Sequence, residues 1–181
     1  MKIEKERKYL LRGLPDVPYT KIVLIKQYYF DTKKENTSLR LRTVEDILSI
    51  DSKGIHPLKH IKNYITFKEV KGELSERNEL EERVSKEWAG VLINTMAYKM
   101  VYKLRYYWPD LDNNIRTHEI IIDHFIFPEC GLLLAEIEEK APNSNFAIPI
   151  GLENVIESDV TNDIRYLNCN IARVPSCVKV G

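Results

Sequence analysis

Along much of this chain apolar and charged residues alternate one by one. Leu39 and Leu41 flank Arg40 and Arg42, Tyr102 and Leu104 flank Lys103 and Arg105, and Ala135 and Ile137 flank Glu136 and Glu138. A period of two belongs to a β-strand, where residues i and i+2 share a face. Each such stretch therefore has one apolar and one charged side. The pattern predicts strands over 2–11, 22–30, 38–44, 63–70, 77–84, 100–108, 117–127 and 132–140. Over 86–99 the period lengthens. Trp88, Val91, Leu92, Met96 and Lys99 recur at helical spacing behind Ser85, an N-cap residue type. A short helix is expected over 151–157, and a final helix over 160–172 with Ile164, Leu167 and Ile171 on one side. Gly13, Pro15 and Pro18 mark a turn, 141–149 reads as a loop, and 45–62 as a long loop or an extended hairpin. Strands in this number, with few helices and no βαβ alternation, give an α+β class with a mostly antiparallel sheet.

The charges on these strands are sorted by sign. Glu4-x-Glu6-x-Lys8, Glu79-x-Glu81 and Glu136-x-Glu138 present carboxylates, while Arg40-x-Arg42 and Lys103-x-Arg105 present cations. An antiparallel sheet with one wet face explains the alternation but not the sorting, because a solvated face usually mixes signs to favour cross-strand pairs. If the sheet closes, acidic strands can face basic ones across a polar interior, with the apolar outer face under helices. A solvated open face remains the other reading.

The length of 181 residues suits a single domain over 1–181 with a substantial core. Basic and acidic side chains balance at 27 each, which argues against broad attraction to nucleic acid or an anionic membrane. Any anion must be bound by local clustering. Cys130, Cys169 and Cys177 form no CxxC pair, and no apolar run approaches the roughly 20 residues that span a bilayer. A cytoplasmic protein is expected. His56, His60, His118 and His124 are scattered without zinc-ligand spacing, and His124, next to Asp123 in a strand, should face outward. No nucleophile elbow or phosphate-binding glycine loop is present.

The ordered set of motifs resembles the CYTH superfamily, also called triphosphate tunnel metalloenzymes. Glu4-x-Glu6-x-Lys8 is similar to its ExExK opening, Arg40-Leu41-Arg42 to its RxR strand, and Thr66-Phe67-Lys68 to its TxK element. Arg77-x-Glu79-x-Glu81, Lys103-Leu104-Arg105, Asp123-His124-Phe125, Leu134-Ala135-Glu136-Ile137-Glu138 and the 159–168 segment follow in the family's order. The resemblance implies a closed eight-stranded antiparallel β-tunnel, a barrel with a polar charged lumen and helices packed outside. It implies divalent-metal-dependent hydrolysis of inorganic tripolyphosphate or a nucleoside triphosphate, with an adenylyl cyclase or a non-catalytic binder of phosphorylated ligands as alternatives on one scaffold. A homodimer is also common among members.

By this resemblance Glu136, Glu138 and Asp123 would hold one Mg²⁺ or Mn²⁺ ion, Glu4 and Glu6 a second, with Glu79 and Glu81 as helpers. Hard ions of this kind prefer oxygen ligands. Lys8, Arg40, Arg42, Lys68, Lys103 and Arg105 would bind the triphosphate. Arg77 and Arg165 would do so too, or else form structural ion pairs. Glu4, Glu6, Lys8, Glu136 and Glu138 form the expected catalytic set, and Asp163 reads as a loop anchor. The chain departs from compact members at 45–62, which looks like an insertion, and at Tyr28, where a glycine is common.

Overall fold

The computed structural model describes residues 2–51, 54–108, 118–140, 148–149 and 151–174. Its strands are β1 (Lys2–Leu11), β2 (Lys21–Phe30), β3 (Thr37–Asp51), β4 (Gly54–Lys71), β5 (Glu73–Val84), β6 (Lys99–Tyr107), β7 (His118–Phe127), β8 (Leu133–Glu139) and β9 (Ile156–Asp159). Helix α1 (Lys86–Met96) joins β5 to β6, and α2 (Asn168–Ile171) follows β9. Neighbouring strands run in the order β5-β4-β3-β2-β6-β7-β8-β1, and β1 returns to β5, closing an eight-stranded antiparallel barrel. The short β9 pairs with β1 at Tyr9–Leu11, on the edge opposite β8.

Strand parity decides which side chains enter the lumen. Tyr29 lies beside Arg40, Gln27 beside Arg42, Ile25 beside Lys103, and Arg105 beside Asp123. Lys8 stands opposite Glu136, Glu6 opposite Glu138, and Lys68 opposite Glu79. One parity therefore carries the charged rows inward, and the other carries Leu24, Leu104, Ile122, Ala135 and Ile137 outward into a buried cluster. Helix α1 covers a second outer cluster of Phe30, Leu41 and Ala89, and Ser85 caps it by accepting the Trp88 N–H at 3.2 Å.

The structure corrects several expectations. Over 45–62 it takes the second of the two readings, an extended hairpin: the described residues there form the far end of β3–β4, whose Ile47 and Ile55 pack against the outer cluster. The helix expected over 151–157 is a three-residue 3-10 turn, Glu153–Val155, running into β9. The final helix over 160–172 is a 3-10 turn, Ile164–Tyr166, and the single turn of α2. The stripe on α1 is also shifted. Ala89 is buried and Leu92 and Ile93 pack inward, while Trp88, Val91 and Met96 are exposed. The loop expected over 141–149 falls largely outside the described residues, as does Cys177.

The lumen face is not charged throughout. Toward one end it turns apolar at Leu10, Tyr29, Val101, Phe125 and Leu134. Val160, Ile171 and Ala172 are buried against these residues, with Tyr166 and Cys169 beside them. The irregular path of 160–172 thus stoppers this end. Its backbone is tied to β1 by the Val160 N–H donating to the Lys8 carbonyl at 2.9 Å and the Lys8 N–H donating to Thr161 Oγ1 at 3.0 Å.

Candidate active site

Above the stopper lies a cavity of about 510 Å³. Its lining includes Glu4, Glu6, Arg40, Arg42, Lys68, Arg77, Glu79, Glu81, Arg105, Glu136 and Glu138. The strands supply these residues by period two, so each row of charges is fixed by the sheet register and not by loops.

The floor is built around Asp123, which is 1% exposed. Arg105 grips it with both forks, Nε to Oδ1 and Nη2 to Oδ2, each at 2.8 Å. The ammonium of Lys103, wholly buried, bonds Asp123 Oδ2 and lies 5.0 Å from the Phe125 ring centre. Two cations share this one carboxylate. Burial opposes the Asp123 charge, but Arg105 and Lys103 override it and hold the carboxyl below its usual range. Lys103 fares less well. Burial outweighs the pull of Asp123, Arg105 repels it, and its ammonium is lowered to about 8. It should therefore lose its charge as pH rises through about 8, far below an ordinary lysine. A polyanion favours the charged form, so polyanion binding just above that pH, tested with tripolyphosphate, should take up a proton. Calorimetry in buffers of different ionisation enthalpy checks this, and the uptake should vanish in Lys103→Met.

Next to this floor Glu136 accepts from Arg105 Nη2 at 3.2 Å and pairs with Lys8 Nζ at 2.9 Å. Burial opposes its charge, yet Lys8, Lys103 and Arg105 hold it well below the carboxylate range. Lys8 is 3% exposed and also donates to the Tyr166 carbonyl at 3.3 Å. Glu136 and Lys8 are thus fixed charges, not proton carriers, at neutral pH.

The opposite wall is a ladder of ion pairs. Arg77 bonds Glu6, Lys68 lies between Glu79 and Glu4 (2.6 Å to Glu4 Oε2), and Arg42 Nη2 reaches Glu81 Oε2 at 2.6 Å. Arg40 is 7% exposed, and its Nε has no hydrogen-bond partner. Gln27, behind it, accepts from the Tyr29 hydroxyl at 3.1 Å and leaves its own Nε2 unpartnered. Orphaned buried donors cost stability, and their clustering here marks a place suited to acceptor-rich ligands.

Of the expected site residues, all line the cavity except Lys8, Lys103 and Asp123, which lie buried beneath it, and Arg165. Arg165 lies outside the cavity, its side chain 79% exposed and paired with Asp163. Asp163 is an anchor as expected, accepting the Arg165 backbone N–H at 3.0 Å to cap the 3-10 turn. His124 lies on the outward parity beside Leu104. The cavity also holds residues the sequence reading passed over: Tyr107, Glu119, Lys140 and Asn168. Parity would have found three of them, since Tyr107 is two beyond Arg105, Glu119 four before Asp123, and Lys140 two beyond Glu138. Asn168, which accepts from Lys103 Nζ at 3.4 Å, carried no such signal.

Among the described residues no three acidic, histidine or cysteine side chains converge as a ready metal cage. The carboxylates point instead at cations. The donor set nonetheless fits a hard divalent ion, because Mg²⁺ keeps several waters and needs only one or two carboxylates. Both oxygens of Asp123 are engaged by Arg105 and Lys103, which leaves Glu136 and Glu138 as the pair with reach into the cavity.

No protein-family model matches the chain. A protein named inorganic triphosphatase from Acetivibrio thermocellus is 28% identical over 173 residues, covering 95% of this chain and 94% of that protein. Among solved structures, the inorganic triphosphatase NE1496 aligns over 94% of both chains with a TM-score of 0.56 at 23% identity. A candidate adenylate cyclase from Bacillus halodurans aligns over 78% of this chain and 83% of its own, with a TM-score of 0.52 at 14% identity. At these identities the solved structures speak for the fold.

Proposed function

We propose that this chain belongs to the triphosphate tunnel superfamily and is a triphosphatase that hydrolyses inorganic tripolyphosphate or a nucleoside triphosphate with the help of a divalent metal ion. One observation carries the reading: cations from β3, β4, β5 and β6, namely Arg40, Arg42, Lys68, Arg77 and Arg105, and carboxylates from β1, β5, β7 and β8 line one stoppered cavity. The relative named inorganic triphosphatase, matched over nearly its whole length, supports the same reaction.

Arg40, Arg42 and Arg105 offer guanidinium forks that match phosphate oxygens two at a time, and Lys8, Lys68 and Lys103 add point charges. Most of these cations already neutralise a carboxylate. A triphosphate entering with its metal therefore exchanges carboxylate partners for phosphate ones at several of these cations. Glu136 and Glu138 would hold the metal, with Glu4 and Glu6 beside them. Mg²⁺ or Mn²⁺ bound there supplies Lewis-acid polarisation of the phosphoryl oxygens. Asp123 contributes by fixing Arg105 and Lys103. Phosphoryl transfer asks little covalent work of a protein, so positioning and preformed positive charge supply most of the acceleration. Water attacks the terminal phosphorus, the P–O bond to the leaving diphosphate breaks, and orthophosphate departs.

Incubation with Mg²⁺ or Mn²⁺ and tripolyphosphate, ATP or thiamine triphosphate, followed by product separation, tests this. Orthophosphate release supports hydrolysis. Cyclic AMP with pyrophosphate would replace it by cyclisation, and tight binding without turnover by a binding role. Arg40→Ala should lower kcat/KM about 10- to 100-fold through loss of charged hydrogen bonds. An unchanged kcat/KM would remove Arg40 from the site.

A further inference from the structure

The segment Glu136-Ile137-Glu138-Glu139-Lys140 repeats the ExExK pattern of Glu4-Lys5-Glu6-Arg7-Lys8. The two run antiparallel, with Glu6 opposite Glu138 and Lys8 opposite Glu136. Their lysines therefore stand at opposite ends of one acidic row. Lys8 is held at the floor, almost wholly buried and bonded to the stopper through the Tyr166 carbonyl. Lys140 is at the mouth. Its side chain is 30% exposed, with Nζ 2.8 Å from Glu138 Oε2 and 2.9 Å from Glu119 Oε2. Glu119 and Glu138 face each other across β7 and β8, and Lys140 offsets their repulsion.

We propose that Lys140 is a further substrate-contacting residue, parked on Glu138 and Glu119 until a divalent cation takes Glu138, and then turned onto the outer phosphate of the triphosphate. The inference rests on reading Glu136 and Glu138 as the metal-holding pair. An ammonium and a divalent ion compete for one carboxylate because like charges repel strongly at contact range. The flexible four-carbon stem of a partly exposed lysine lets its head move several ångströms without disturbing the sheet. Glu119 keeps the released head at the mouth. Among the described residues, Tyr107, Glu119, Ile121 and Glu138 line the same cavity.

The test titrates Mn²⁺ into the substrate-free protein by calorimetry, in wild type and in Lys140→Met, and then measures KM for tripolyphosphate at saturating Mn²⁺. Removing the competing ammonium should tighten Mn²⁺ binding about five- to tenfold. The same substitution should raise KM by a similar factor. A lysine with only a structural role would not tighten metal binding when removed. Equal Mn²⁺ affinities in two proteins that both bind the ion and hydrolyse tripolyphosphate would overturn the exchange alone. A tighter Mn²⁺ site with unchanged KM would overturn the phosphate contact. Absence of Mn²⁺ binding in both would overturn the metal reading beneath it, and this inference with it.

Discussion

Asp123→Ala should destabilise the protein by about 3–5 kcal/mol, the cost of stripping the partner from a buried charge. For a chain of this size that corresponds to a fall of roughly 6–20 °C in Tm. Asp123 is 1% exposed and answers two cations at once, so its removal strands Arg105 beside Glu136 alone and leaves Lys103 with no adjacent carboxylate. The pH dependence follows from Lys103. Its ammonium already titrates near 8 with Asp123 present, chiefly because it is buried, and it would drop further without that partner. A folded-state value below the unfolded one means that the unfolded chain binds more protons in the intervening window, so stability rises with pH there. The loss caused by Asp123→Ala should accordingly be larger at pH 6 than at pH 9. Thermal denaturation of both proteins at the two pH values checks this. An unchanged Tm would show that the floor is held by something other than this triad.

Glu138→Ala is expected to do the reverse, abolishing activity while sparing the fold. Glu138 lies toward the mouth, its side chain 18% exposed, on a strand whose hydrogen bonds and outward residues Ala135 and Ile137 are untouched by the change. If it holds the catalytic metal, several kcal/mol of charge stabilisation is lost with it, so phosphate release should fall at least about a hundredfold. Far-ultraviolet circular dichroism and Tm should stay close to wild type. Near-normal phosphate release would take Glu138 out of the metal site. Together the two variants separate a carboxylate that holds the site's cations in place from one that works on the substrate.

The strands were legible because a period of two is a geometric property of the backbone, and the sign-sorted charges were legible because parity sends each row to one side. The same rule covers Glu119 and Lys140, which lie within the expected strands 117–127 and 132–140 on the parity of Asp123 and Glu138 but were passed over. What escaped was set by tertiary contact. Tyr29, Val101, Phe125 and Leu134 share parity with the charged rows, so a strand-by-strand reading makes that face wholly wet. It dries only where 160–172 packs against it. That segment has apolar residues at helical spacing, yet Ile164 is 60% exposed, and the chain bends in short turns to deliver Val160 and Ile171 to the barrel. On α1 the apolar stripe was read one step round the helix, because Trp88 and Met96 weigh more in a pattern than the small Ala89 that makes the contact. Arg165 illustrates the same limit. Its nearest carboxylate, two residues away, captures it before the cavity can.

The tie between Lys8 and Thr161 joins residues 153 apart in sequence. β1 is therefore synthesised first and satisfied last. Its ring partners β5 and β8 emerge from the ribosome one after the other, and ring closure waits for β8. Until then Glu6 and Lys8 have no facing strand, and that edge of β1 is open to other chains. Nascent chains released before residue 160 would carry the charged rows without the stopper that closes one end. Assembly of the cavity is thus a late, all-or-none event in the life of each molecule, and the yield of active protein should depend on how well that waiting edge is shielded during synthesis.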